Sequence, residues 1–293
     1  GAVVRGSLEL YEQAVRGGVQ VIVFPELQLA GAYSNAHLYN DELLRDHAVT
    51  ALDDFIKGAR VIDLQHGRRT IAVVGLPLVV DGQFFNAAAI CQPANVEQPV
   101  LAIHVKAHLA NSGEFREGKY FQPASVLRKS EVMLLGKRVP IGNNIVVVVQ
   151  DPDGSTLFVL AVETCQELFM AIPVSSHHAY AGATIICNPS GSNDLIGKDA
   201  YRVDLVKNQS ARTYTAYVYT SVGPGESTSE IVFSGRAMIA EAGKLLAETA
   251  TEGIDRYVGG PKLIMADVDV SWLERERTIN GAFGHAMGVD ARP

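Results

Sequence analysis

TLFVLAVETC, residues 156–165, joins a short apolar, β-branched run to a carboxylate, a hydroxyl and a thiol. A run of this length bounded by polar residues reads as a buried strand. Two other runs end in the same manner: VQVIVF (Val19–Phe24) is followed by Pro25 and Glu26, and VLAIHV (Val100–Val105) by Lys106. In open α/β sheets, chemistry gathers where strands end, because the scaffold is rigid there and the loops are free to vary. A carboxylate, an ammonium and a thiol converging at strand ends would form an acyl-transfer site.

Working outward, strands are expected at 19–24, 70–75, 85–91, 100–105, 144–150, 156–162, 183–188, 215–221 and 231–240. Helices are expected at 8–16, 41–61, 167–181 and 198–212. Asn40 and Asp41 offer a cap to the second helix. Gly243 predicts a hairpin turn between Ala237–Glu241 and Lys244–Glu248. No linker, charge block or repeat divides the sequence, so one α/β domain is expected over residues 1–293, with helices covering mixed sheet. Such alternation usually opens on a strand, and one is expected ahead of the first helix, in residues preceding Gly1.

Composition narrows the class. The 293 residues are 47% apolar and 19% charged, enough to bury a large core. The net charge of −7 argues against a nucleic-acid partner, which calls for a basic face. No apolar run approaches the ~20 residues of a membrane helix. The first residues, GAVVRGSLEL, lack the order of a signal peptide, and three cysteines are too few for a disulfide framework. A cytoplasmic protein is expected.

Each member of the trio has a chemical reason to be present. A free thiol, with a pKa of about 8.5, needs a base or a cation to become a nucleophile. Glu26 could take its proton if burial raises the carboxylate towards the working pH. Lys106, with a backbone N–H near Cys165, could hold the oxyanion formed on a carboxamide carbon, and one such donor is worth roughly 3–4 kcal/mol of barrier. Taken singly, each residue has a plainer reading: a solvated loop carboxylate, a surface cation, a small core residue.

FPEL (24–27), VKAHL (105–109) and VETCQELF (162–169) resemble the Glu, Lys and Cys motifs of the nitrilase, or carbon–nitrogen hydrolase, superfamily. NPSGSNDLIGK (188–198), SARTYTAYVYTSVGPGEST (210–228) and FSGRAMIAEAGKLLAE (233–248) are similar to the glutaminase domains of glutamine-dependent NAD synthetases. The resemblance implies a four-layer αββα sandwich. It implies Cys165 as nucleophile, Glu26 as general base and Lys106 as oxyanion cation, with Glu114 as a second glutamate orienting the lysine or substrate. It also places Tyr33, Gln166, Phe169, Ser190 and Ser192 around the substrate. The implied reaction is cofactor-free hydrolysis of glutamine to glutamate and ammonia, in a homo-oligomer.

Three departures bear on specificity. Gln166 stands where these domains usually carry Glu, Tyr33 is displaced by one position, and the loop after Lys106 lacks the usual Pro and Tyr. No SGGxDS string and no GxxxxGK[ST] loop occurs in these residues, so ATP-dependent synthesis is assigned to a separate domain. The competing expectations are a stand-alone amidase for another small carboxamide and a non-catalytic member of the same fold. Metal hydrolysis is disfavoured, because His104 falls on a strand and His108 beyond it, and His177 and His178 point different ways. Cys91 and Cys187 are expected to be buried, inert thiols.

Overall fold

The strands that end on Glu26, Lys106 and Cys165 belong to two sheets packed face to face. The computed structural model describes residues 1–30, 42–151, 153–228, 230–249, 257 and 260–290, with the side chains of 42–46 and 287–290 excepted. The first sheet holds β1 (Val21–Val23), β2 (Ile71–Val80), β3 (Gln83–Cys91), β4 (Val100–Val105), β5 (Glu131–Leu134) and β6 (Lys137–Gly142), in the order β1-β2-β3-β4-β6-β5. The second holds β7 (Val146–Gln150), β8 (Thr156–Val162), β9 (Ile185–Ser190), β10 (Ala216–Ser221), β11 (Ala237–Glu241) and β12 (Lys244–Glu248), in the order β12-β11-β10-β9-β8-β7. Both are mixed: β1 and β2 pair in parallel, as do β8 and β9, whereas β2 and β3 pair antiparallel, as do β7 and β8.

The period of two along each strand explains the layering. On β2, Ala72, Val74 and Leu76 face α1 (Ala2–Arg16) and α2 (Glu42–His66), while Ile71 and Val73 face the other sheet. On β8, Phe158, Leu160 and Val162 meet them from the second sheet, and Ala161 points away. That outer face packs under α3 (Val174–Tyr180) and α4 (Lys198–Thr213), through Val206, Tyr217 and Met238. The layers therefore run helix, sheet, sheet, helix, the αββα sandwich expected. Strands buried on both faces read as continuous apolar runs.

Four expectations need correction. The strand expected at 231–240 begins only at Ala237, because the preceding residues fold over the site loops, with Phe233 buried against Leu27 and Phe121. The helix expected at 167–181 is a 3-10 turn, Cys165–Phe169, followed by α3, since Pro173 keeps the residue before it extended. The β5–β6 hairpin lies outside the expected strands because β5 is half solvated; Leu135 (φ 50°) and Gly136 (φ 74°) form its two-residue turn. Two C-terminal helices, α5 (Val270–Ile279) and α6 (Gly281–Asp290), add to those expected. The hairpin turn at Gly243 is as expected, with Ala242 at φ 42° and Gly243 at φ 89°. Asn40 and Asp41 lie outside the described residues. Among the described residues, no helix is long and apolar enough to cross a membrane.

Candidate active site

β1 delivers Glu26 through a tight turn. Leu27 has φ 54°, and the turn presses on β2 so closely that a Cβ at Gly75 would lie 2.4 Å from the Leu27 nitrogen and 2.7 Å from the Pro25 oxygen. Only glycine fits there. The Glu26 N–H donates to the Ser190 carbonyl at 3.4 Å, tying the end of β1 to the end of β9.

Lys106, at the end of β4, is fully buried. Its Nζ donates to Glu26 Oε1 at 2.6 Å and lies 2.9 Å from Glu117 Oε1 and 2.8 Å from Glu117 Oε2. Asn86 Nδ2 donates to Glu26 Oε1 at 2.7 Å, and the Ala110 N–H donates to Glu117 Oε2 at 2.6 Å. Two carboxylates thus share one ammonium in a buried site. Burial raises the Glu26 pKa, Lys106 pulls it down and Glu117 pushes it up again; the net direction is up. Burial alone would lower Lys106, but Glu117 and Glu26 reverse that, and its ammonium is held above its ordinary value. Among the described residues Glu26 Oε2 is buried with no hydrogen-bond partner, so it can receive a proton brought by another group.

Cys165 begins the 3-10 turn after β8 with φ 47°, a left-handed conformation that L residues other than Gly seldom adopt. Its thiol is buried and is pushed up to about 12, by desolvation first and by Glu26 second, with Lys106 opposing. The resting group is therefore a thiol. Its own N–H donates to Asn188 Oδ1 at 3.0 Å. Glu167 braces the turn: its carboxylate accepts from the N–H groups of Thr164 and Ala107, and from His104 Nε2 at 2.8 Å.

The other expected residues divide. Glu114 turns away from the lysine: its Oε1 accepts from Asn193 Nδ2, and Asn193 Oδ1 accepts from Lys198 Nζ. The glutamate on the lysine is Glu117, three residues later, where the 3-10 turn Glu117–Lys119 directs its side chain inward. Ser190 Oγ accepts from the Tyr219 hydroxyl at 3.0 Å, and among the described residues no partner lies within hydrogen-bonding geometry of the buried Ser192 Oγ. Phe169 lies 5.6 Å from Lys198 Nζ, which also sits 6.0 Å from the Phe115 ring. Gln166 lines a shallow cleft with His108, Leu109 and Met170. Tyr33 lies outside the described residues. Sequence reasoning missed Glu117, Asn86 and Lys198; two glutamates three apart after the lysine were the available signal for the first. Burial lowers the Lys198 pKa, against the opposing pull of Cys165 when its sulfur is ionised. Cys91 and Cys187 are buried and unbridged, and desolvation raises the pKa of both thiols. Among the described residues, no group of three or more His, Cys, Asp or Glu side chains could hold a metal ion.

At the strand ends of this αββα sandwich a buried acid, amine and thiol are gathered, and the chain belongs to the carbon–nitrogen hydrolase family, whose model matches residues 2–276. Within it, the chain is 34% identical over 266 residues to the glutamine-dependent NAD(+) synthetase of Mycobacterium tuberculosis, covering 91% of this chain and 36% of that protein. The Mycobacterium leprae counterpart is 34% identical over 276 residues, covering 94% and 38%. The chain thus spans little more than a third of the length of these relatives. In fold it resembles the glutamine-dependent NAD(+) synthetase of Cytophaga hutchinsonii (TM-score 0.69, 24% identity, 84% of this chain and 37% of that one). It also resembles a carbon–nitrogen hydrolase of Helicobacter pylori G27 (TM-score 0.68, 14% identity, 97% and 89%).

Proposed function

We propose that this chain hydrolyses the side-chain amide of glutamine to glutamate and ammonia, as the ammonia-supplying domain of a glutamine-dependent NAD(+) synthetase. The observation that carries the reading is the buried Glu26–Lys106–Glu117 cluster beside the Cys165 thiol, joined to the likeness with the mycobacterial synthetases. Glu26, kept a competent base by burial, takes the thiol proton as Sγ attacks the carboxamide carbon. The oxyanion is held by Lys106 Nζ and by a backbone N–H. The amide of Cys165 is committed to Asn188, so the next one, Gln166, at the first turn of the 3-10 helix, is the donor assigned here. Glu26 then passes its proton to the leaving nitrogen, ammonia departs, and a thioester remains. Water, deprotonated by Glu26, attacks the thioester; glutamate leaves and the proton returns to sulfur.

Recognition of an amino-acid amide calls for charges of both signs away from the reacting carbon. Lys198 suits the α-carboxylate and Glu114 the α-ammonium. A partner domain that activates a carboxylate with ATP would consume the ammonia. Three unbridged thiols support a reducing, cytoplasmic setting. Self-association is supported by exposed apolar side chains such as Val148 on edge strand β7 and Ile172.

The test is glutamine turnover by the wild type and Cys165→Ala, with hydroxylamine added to trap the acyl group. Glutamyl hydroxamate from the wild type and none from the variant is the expected result. Ammonia release by Cys165→Ala at the wild-type rate refutes the nucleophile assignment, and turnover of simple amides but not glutamine refutes the substrate.

A further inference from the structure

Behind the nucleophile lies a buried carboxylate that the mechanism above does not use. Glu163 has no exposure, and the charge that weighs most on it is that of another carboxylate, Glu167. Burial pushes its pKa up to about 7, against hydrogen bonds from Tyr217 and Ser175. Burying an acid is costly. Its hydrogen bonds show what the cost maintains.

Glu163 Oε2 accepts from the Ser175 N–H at 2.8 Å, and Oε1 accepts from the Tyr217 hydroxyl. The Tyr217 oxygen accepts from Asn188 Nδ2 at 2.9 Å, and Asn188 Oδ1 accepts from the Cys165 N–H at 3.0 Å. Asn188 and Tyr217 are also fully buried, so no water can substitute for a missing partner. Every direction in this chain is forced. The Cys165 amide can only donate, so Asn188 must present its oxygen. The Asn188 amino group then meets Tyr217, whose single proton must go onward to Glu163. The far end already receives a backbone N–H, and therefore the terminal group must accept at both atoms. Only a carboxylate does that.

We propose that Glu163 is a positioning residue: acting through Tyr217 and Asn188, it fixes the carboxamide orientation that holds the Cys165 backbone at its left-handed φ and so aims the thiol and the amide after it. The inference rests on the reading of Cys165 as the nucleophile. Reversing Asn188 would set an amino group against the Cys165 N–H, two donors face to face, at the residue where the backbone has least freedom to yield.

Isosteric swaps test the polarity without changing volume. In Glu163→Gln one donor–donor conflict is unavoidable, at Ser175, at Tyr217 or at Cys165. In Asn188→Asp the Tyr217 proton can satisfy only one of two carboxylates. In the double variant Glu163→Gln/Asn188→Asp every group pairs again. The carboxylate now at position 188 accepts from Cys165 and Tyr217, while the amide now at position 163 donates to Tyr217 and accepts from Ser175. Each single variant is expected to lose about 10- to 100-fold in kcat with KM little changed, the scale of a small misplacement of a reacting group. Alkylation of Cys165 by iodoacetamide, followed by mass spectrometry, should slow in parallel. The double variant should recover most of both. A double variant no better than the poorer single one overturns the proposal, as does wild-type kcat and alkylation in Glu163→Gln. Should a single variant fail to fold, the double must still fold and react, and its failure to do so overturns the idea equally. The alkylation arm needs no substrate, so a protein inactive on glutamine that still shows the rescue sinks only the functional reading.

Discussion

Replacing Glu117 with Gln separates the two glutamates that follow the lysine. Glu117 lies 2.8 and 2.9 Å from Lys106 Nζ through its two oxygens, while Glu26 lies 2.6 Å away, so the facing oxygens of the two carboxylates are at most about 5.4 Å apart. At an effective dielectric of about 20, unit charges at that distance repel by about 3 kcal/mol. The Glu117→Gln change removes this push on Glu26, whose pKa must then fall. Glu26 must be deprotonated to act as base, so the acid limb of kcat/KM should move to lower pH. The rate should drop as well, since Lys106 loses one of its two anionic anchors and a well-placed oxyanion donor is worth roughly 3–4 kcal/mol. A loss of about 100-fold in kcat is expected, with KM little altered. The assay is ammonia release from glutamine across a pH range of about 5 to 9, run beside Glu114→Gln. Glu114 touches Asn193 rather than Lys106, so its variant should keep kcat and raise KM. A Glu117→Gln enzyme with kcat within about twofold of wild type, or an acid limb moved upward, refutes the argument.

Three further outcomes follow from the packing. Gly75→Ala should lower kcat by about 100-fold, because its new methyl meets backbone of the turn carrying Glu26 and reacting groups tolerate little displacement; steady-state kinetics with wild-type values exclude this. Arg277 donates to the carbonyls of Tyr214 at 3.1 Å, Thr213 at 3.0 Å and Ala183 at 2.5 Å, closing the ends of α3 and α4. Arg277→Ala should cost about 3 kcal/mol in urea unfolding, and a cost below about 1 kcal/mol counts against that role. His178 is buried, and desolvation, with His104 next, lowers its pKa to about 4, while its Nε2–H donates to the Asn143 carbonyl at 2.9 Å. Because the folded pKa lies below the unfolded value of about 6.5, stability is complete above that value and is lost as pH falls from 6.5 towards 4, by about 3 kcal/mol. Urea midpoints should trace this decline in the wild type, and a His178→Gln variant with an equally steep decline contradicts the assignment.

The fold was legible wherever one period dominated. β8 and β9 carry apolar residues on both faces, and their runs read as strand without ambiguity. β5 was not legible: its pattern is half solvated, and what makes it a strand is pairing with β6 across a turn at Leu135 and Gly136. The misjudged helix at 167–181 shows a competition of another kind. Its residues are adequate helix formers, but Pro173 and the demand for a turn at Cys165 divide the stretch, and only the second sheet's geometry imposes that turn.

The site divides along a similar physical line. Glu26, Lys106 and Cys165 could be found because each ends an apolar run, a position that a linear sequence displays directly. Glu117 could not be told from Glu114, since both follow the lysine in an irregular loop where no period says which side chain turns inward. The choice is made by long-range partners: Ala110 N–H and Lys106 Nζ meet Glu117, whereas Asn193, on a loop from the other sheet, meets Glu114. Lys198 was hidden for the same reason, being an ordinary first residue of α4 until Phe115 and Phe169 are brought around it. Strand-borne chemistry is fixed by local pattern; loop-borne chemistry is fixed by which charge finds its complement across the sandwich. If that distinction is sound, the residues lending the site its specificity belong mainly to the second group. Gln166 belongs to the cleft it shares with His108 and Met170, whereas Glu114 and Lys198 meet through Asn193.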